Sequence, residues 1–192
     1  MAALILASTS IYRRELLSRL GLAFETLPPQ VSEASLHGES AADRALRLAL
    51  EKARAGARLH PQALVIGADQ VAACGEVLLE KPGTAARARE QLQRLSGGTA
   101  LFYTACAVLG GPLAVQLAHV DTTTVVFRAL SSAEIERYIE RDRPLDCAGS
   151  FRAESLGISL FECIESRDPT ALIGLPLIWL GAALRAAGLE IP

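Results

Sequence analysis

Cysteine is scarce in this sequence, and what there is does not cluster. Cys74, Cys106, Cys147 and Cys163 form no C-x-x-C pair, and only His37, His60 and His119 could join them. A zinc centre needs closely spaced Cys and His ligands, so this pattern argues against one. Reduced, mostly buried thiols in the cytosol are the expectation. Charge of one sign is also lacking. The formal net charge is −2, which gives no general pull on a nucleic acid polymer or an anionic membrane. The opening MAALILASTSIYRR has no basic residues before its apolar run, unlike a secretory leader. The most apolar stretch, Ala171 to Gly188, contains Pro176 and Arg185 and is short for a bilayer span. It reads as a turn followed by a buried helix. No repeat, low-complexity linker or G-x-S-x-G nucleophile elbow is present.

What remains is a chain of 192 residues, 51% hydrophobic, enough for a sizeable core and against disorder. A single domain over 1–192 is expected. Short apolar runs predict strands at Leu4–Ala7, Phe24–Leu27, Leu64–Ala73 and Val77–Leu79. Two longer ones, 100–109 and 113–128, surround Gly110-Gly111-Pro112, and another lies near Ile158 to Cys163. Helices are expected from Arg13 to Leu20, from Ser40 to about Leu59 and from about Thr84 to Leu95. Two more follow, one starting at Ser131 and Glu134 and one opening at Pro176. This mixture predicts α/β or α+β: a long mixed twisted sheet with flanking helices.

Three places carry chemistry. At Ala7-Ser8-Thr9-Ser10-Ile11-Tyr12-Arg13 a strand meets a helix, where hydroxyls, free N–H groups and Arg13 can hold a phosphate or merely cap the helix. In the second helix, at ~100° per residue, Asp43, Arg44, Arg47, Glu51, Arg54 and Arg58 share one charged face. Lys52 does not; it sits among Ala41, Ala45, Leu48 and Ala55, so it must either snorkel or meet an anion. Asp69, in Ile66-Gly67-Ala68-Asp69-Gln70-Val71, is an acid inside an apolar strand. Such a group costs free energy unless it is paired or holds a cation. There it could activate water, ligate a metal or accept a structural hydrogen bond. Lys81 before Pro82 could reach a phosphate or be a loop lysine, and Glu33 lies in a loop where solvation is the default. The stretch Pro144 to Glu154, with its glycine, small residues and single Phe151, suits a binding loop or a structural one.

Together these segments resemble the Maf family of nucleotide pyrophosphatases. The resemblance rests on Leu6-Ala7-Ser8-Thr9-Ser10 with Arg13, Glu33, Lys52, Gly67-Ala68-Asp69, Lys81-Pro82 and Leu95-Ser96-Gly97. Pro144-Leu145-Asp146 with Ala148-Gly149, and Gly174-Leu175-Pro176-Leu177, complete the set in family order. It is closest to the YceF-type branch, which acts on 7-methyl-GTP, through Tyr12, Gln70, Cys147 to Phe151, Glu154, Leu160-Phe161-Glu162 and Arg167-Asp168-Pro169. Ile11, where the family commonly has Pro, and Ser155-Leu156, where it is richer in glycine, depart from the pattern.

The resemblance implies two lobes of an ITPase-like mixed sheet enclosing a cleft, in a cytoplasmic hydrolase. The reaction implied is 7-methyl-GTP to 7-methyl-GMP and pyrophosphate. It makes Asp69 the proton acceptor and places the triphosphate on Ser8, Arg13, Lys52 and Lys81. Base specificity falls to Tyr12, Gln70 and Glu154, and a divalent cation, Mg²⁺ or Mn²⁺, to Glu33 with Asp69. An N7-methylated guanine is cationic, so Tyr12 or Phe151 could stack on it and Glu154 accept from its N–H edge. Two rivals stand beside this: the same hydrolysis on dTTP or UTP, and a nucleotide-sensing regulator of cell division that cleaves nothing. The partner implied is a small nucleotide, with no nucleic acid polymer and no membrane. The apolar last helix and the long hairpin suit a homodimer or burial within one core equally well.

Overall fold

The computed structural model describes residues 3–192. Its strands are β1 (Leu4–Ala7), β2 (Glu25–Thr26), β3 (Leu64–Cys74), β4 (Val77–Leu79), β5 (Thr99–Gly110), β6 (Val115–Phe127) and β7 (Phe161–Glu165). Its α-helices are α1 (Ile11–Ser18), α2 (Ala41–Leu59), α3 (Ala85–Leu95), α4 (Ser132–Asp142) and α5 (Leu177–Ala186). The expected mixed α/β class is what forms. Strand order is β2-β1-β3-β5-β6-β7, with β4 paired to β3. The sheet is mixed: β1 runs parallel to β2 and β3, whereas β4 runs antiparallel to β3. Contacts divide the chain into two compact units, each drawn from discontinuous stretches.

The first unit comprises residues 1–70, 104–121 and 168–192. Strand β1 is buried at every position, as a strand covered on both faces must be. Leu4, Leu6, Leu64 and Ile66 face one way, into a core with Leu16 and Leu17 of α1 and Leu180 and Leu184 of α5. Ile5 and Val65 face the other way, towards Ala57 of α2 and Leu27. Helix α2 starts where Ser40 accepts from the Asp43 N–H, as its sequence signature predicted. Along α2 the apolar side is small (Ala45, Ala49, Ala53, Gly56), so the helix lies close on the strands. The closest approach is at Gly67 of β3. A Cβ there would lie 2.5 Å from the Ala53 nitrogen and nearer still to the Ala49 carbonyl oxygen. Only glycine fits, and it is the residue that brings Lys52 within reach of Asp69.

The second unit comprises residues 71–103 and 122–167. Helix α3, capped by Thr84, packs against α4, which opens with a full Ser131–Glu134 capping box. Phe102, Phe127, Phe151 and Phe161 meet edge-to-face with centroids 4.8–5.5 Å apart. Phe151 is 5% exposed within this group, so it is a core residue. The expectation that it stacks on a base is corrected. Strand β7 begins later than the sequence suggests, because Leu156–Leu160 closes into a 3-10 turn first. It then pairs antiparallel with β6 across a bulge at Val126/Phe127.

Two smaller expectations also change. All four thiols are free, but only Cys106 is buried; Cys163 is exposed and the other two are half-buried. Burial pushes the Cys106 thiol up to about 12, against the opposing charge of Arg13. Helix α5 is not wholly buried: Ile178, Ala182, Arg185 and Ala186 are exposed. No helix among the described residues is long and apolar enough to cross a membrane.

Candidate active site

Asp69 stands just beyond the parallel part of the sheet, whose last pair is Ala7 with Gly67. Open parallel sheets gather ligands at the carboxyl ends of such strands. The Asp69 side chain is 11% exposed, and Lys52 Nζ donates to its Oδ1 at 2.6 Å. The same ammonium lies 2.6 Å from Oε1 of Glu33. Lys52 therefore meets an anion, in fact two. Its burial, to 6% exposure, is tolerable because both carboxylates are charge partners. Asp69 and Lys52 are held by rigid elements, β3 and α2; Glu33, 61% exposed, comes from a loop.

That loop is not loose. Arg44 donates to the Glu33 carbonyl oxygen at 3.0 Å and Arg47 to the Ala34 carbonyl oxygen at 3.1 Å. Arg47 also forks onto Glu39 at 2.6 and 2.8 Å and reaches Glu51. The Arg47 hydrogen bonds hold the Glu39 carboxyl below its ordinary value, and Glu39 in turn raises Arg47. Both arginines lie on the charged face of α2, where a loop-pinning role gives no signal in the sequence.

The junction after β1 is built as a cradle. Ser8 is 5% exposed and its Oγ accepts the Ser10 N–H at 3.1 Å; Ser10 caps α1 by accepting from Arg13. Helix α1 starts at Ile11, directly after the Ser10 cap. Arg13 Nε donates to the Gly174 carbonyl at 2.9 Å, which fixes the guanidinium by one edge. Tyr12, half-exposed, lies in the first turn of α1.

Gln70 is more committed than expected of a base reader. Its Nε2 donates to Thr104 Oγ1 at 2.9 Å, the Ala171 carbonyl at 3.1 Å and the Leu172 carbonyl at 3.0 Å. Two of these partners are carbonyls that can only accept, so the amide orientation is determined. Gln70 thus ties the strand of Asp69 to the turn 171–173. Beyond that turn, Pro176 offers α5 no side-chain cap. Asp168 and Thr170 supply it instead: Ile178 N–H donates to Asp168 Oδ2 at 2.7 Å and Leu177 N–H to Thr170 Oγ1 at 2.9 Å. A helix opening on Pro with no adjacent Ser, Thr or Asp was the available hint that a remote cap exists.

In the second unit, Lys81 is exposed and lines a pocket of about 350 Å³ with Leu78, Glu80, Arg87, Glu90 and Gln91. Gln91 donates to the Glu80 carbonyl at 2.9 Å and accepts from Ser150 Oγ at 2.6 Å. Gly83 N–H donates to the Leu145 carbonyl at 2.9 Å. The segment bearing Lys81 is thereby fastened to the loop after α4. Glu154 is exposed on that loop.

No group of three or more His, Cys, Asp or Glu converges to hold a metal among the described residues. Glu33 and Asp69 instead offer two hard carboxylates around one point. Mg²⁺ is typically held by one or two carboxylates and completed by water and substrate phosphates, so this donor set fits a metal arriving with a polyphosphate.

A family model described as Maf-like protein matches residues 3–187. A 7-methyl-GTP pyrophosphatase of Aromatoleum aromaticum is 53% identical over 189 residues, covering 98% of this chain and 97% of that one. One from Xanthomonas axonopodis pv. citri is 54% identical over 192 residues, the whole of both chains. One from Pseudomonas fluorescens is 49% identical over 196 residues, again covering both. Among solved structures, the Staphylococcus aureus Ham1 protein aligns with a TM-score of 0.47 at 15% identity, over 65% of this chain and 71% of that one. The chain belongs to the family of Maf-like proteins.

Proposed function

We propose that this chain, a nucleotide pyrophosphatase, hydrolyses 7-methyl-GTP to 7-methyl-GMP and pyrophosphate, with Asp69 as general base. One observation carries the reading: a buried lysine lies 2.6 Å from each of two carboxylates, Asp69 on a strand and Glu33 on a pinned loop. The substrate follows from the relatives' name, shared at about half identity over full length.

Lys52 occupies Asp69 Oδ1, so Oδ2 is the oxygen open to a water molecule. That water attacks the α-phosphorus. Its proton passes to Asp69 as the new P–O bond forms, and the α–β bridging bond breaks to release pyrophosphate. Arg13, held through Nε, has both terminal amino groups left for phosphate oxygens. Lys52 adds a point charge, and Ser8 and the first turn of α1 add donors; Lys81 has its phosphate role from the family resemblance alone. A divalent cation, Mg²⁺ or Mn²⁺, would be held by Asp69 and Glu33 and would stabilise charge on the phosphate oxygens. For the base, Tyr12 supplies an aromatic face to the cationic ring, and the family resemblance gives Glu154 the role of its carboxylate partner. Gln70 sets the backbone of 171–172 beside the strand of Asp69 and leaves only its Oε1 as an acceptor.

A panel of 7-methyl-GTP, GTP, UTP and dTTP, assayed for pyrophosphate release with and without Mn²⁺, tests this. The expected result is metal-dependent release, fastest from 7-methyl-GTP. A clear preference for UTP or dTTP would replace the substrate, and nucleotide binding with no release would replace the enzyme with a sensor.

A further inference from the structure

Helix α4 ends on an acid, and its position is unusual. The C-terminus of a helix favours basic side chains, because the macrodipole leaves partial negative charge there. Asp142 is the last residue of α4 and only 8% exposed. It persists against that field because two hydroxyls point at it: Tyr138 donates to Oδ2 at 2.8 Å and Ser155 to Oδ1 at 2.6 Å.

These contacts converge on a single turn. Tyr138 Oη, held by Asp142, accepts the backbone N–H of Arg152 at 3.1 Å. Burial, and then its bond to Asp142, keeps the Tyr138 phenol far above its ordinary value, so it remains a donor. The Arg152 guanidinium donates back to the carbonyl oxygens of Asp142 and Arg143, which the helix end leaves without intrahelical partners. The turn is also tight: a Cβ at Gly157 would strike the Arg152 backbone. Arg152 and Ser155 are both fastened to Asp142, and Glu154 lies between them in sequence.

We propose that Asp142 is a positioning residue for base selection: through Tyr138, Arg152 and Ser155 it fixes the turn that presents Glu154 to the nucleobase. This rests on the reading that Glu154 selects the base. A staple serving stability alone would affect every substrate alike, whereas a positioning role acts on the ratio between substrates.

The test uses the full chain with Ser155→Ala, Asp142→Ala and Asp142→Asn, and Glu154→Gln as the control on the underlying reading. kcat/KM is measured for 7-methyl-GTP and GTP, and amide hydrogen exchange is followed over residues 152–156. Ser155→Ala and Asp142→Ala are expected to lower the 7-methyl-GTP to GTP ratio about tenfold, the worth of one hydrogen bond to a charged group. Both should speed exchange in 152–156. Asp142→Asn keeps one acceptor for Tyr138 and can donate to Ser155, so it should retain the ratio to within roughly threefold. Ser155→Ala removes one exposed hydroxyl and keeps the test open if Asp142→Ala does not fold. Equal losses on both substrates, or an unchanged ratio while Glu154→Gln collapses it, would overturn the proposal. If Glu154→Gln leaves the ratio intact, the base reading fails by itself. Exchange then decides the positioning: faster exchange in the variants upholds it and unchanged exchange refutes it.

Discussion

The two units place their candidate site residues by different means. In the first, Lys52 and Asp69 meet because a helix lies directly on a strand at Gly67, where no side chain could fit. In the second, Glu154 sits on a loop between 3-10 turns, and that loop is held by hydrogen bonds it donates to the side chains of Asp142, Tyr138 and Gln91. Backbone packing gives a stiff centre suited to chemistry, where small misplacements are expensive. A polar network gives a loop that can be retuned by single substitutions, which suits recognition. Substitutions in the first unit should therefore abolish turnover or folding, and those in the second should alter preference or shave stability.

Asp69→Asn should have the largest effect. It keeps the shape and an oxygen for Lys52, so the thermal transition should stay within a few degrees while kcat falls by roughly a thousandfold. Circular dichroism melting beside pyrophosphate release checks both halves, and near-normal turnover would remove Asp69 from its role. Gly67→Ala comes next. Its new Cβ meets backbone rather than a flexible side chain, so α2 must shift, at about 3 kcal/mol of stability. Urea unfolding reads that directly, and a stability within experimental error of the parent would show that α2 can yield.

Those two sites differ in how far the residues announced them. Asp69 was legible because an acid in an apolar strand demands a partner. Lys52 was legible because it falls off the charged face of α2. The glycine between them was legible only through family likeness, since a close approach leaves no trace in periodicity. Arg47 was misassigned for the opposite reason: on a helix face rich in charge, one that pins a loop looks like one that is solvated. Asp142 hid in the same way, inside the charged run Glu140-Arg141-Asp142-Arg143. Phe151 looked available because it follows Gly149-Ser150, yet the edge-to-face cluster claims it. Element boundaries fared well at the caps Ser40, Thr84 and Ser131; they slipped at α1, which runs Ile11–Ser18 rather than Arg13 to Leu20, and at β7, where nothing in the pattern distinguishes a 3-10 turn from a strand.

Arg47→Ala tests a part of the first unit that depends on side chains. Without its fork to Glu39 and bond to Ala34, the loop carrying Glu33 should loosen. kcat/KM should fall roughly tenfold, the usual effect of losing an outer support. Arg47→Ala in the Glu33→Ala background should add little, and full additivity would mean Arg47 does not act through Glu33. The smallest effect belongs to the second unit. Glu134 is held down at about 2, first by the Ser131 backbone and side-chain hydrogen bonds and then by Arg128. A depressed carboxylate stabilises the fold fully above its ordinary value of 4.5, and that contribution is lost as pH falls towards about 2. The parent should therefore lose melting temperature faster than Glu134→Gln between those limits. Parallel acid limbs would show that the capping box adds nothing there.

The central claim is that Asp69 directs water to the α-phosphorus of a bound triphosphate. Hydrolysis of 7-methyl-GTP in ¹⁸O-labelled water, followed by mass spectrometry of both products, tests it most directly. One labelled oxygen should appear in 7-methyl-GMP and none in pyrophosphate. Label in pyrophosphate would mean attack at the β-phosphorus, and release of labelled inorganic phosphate would mean a different reaction.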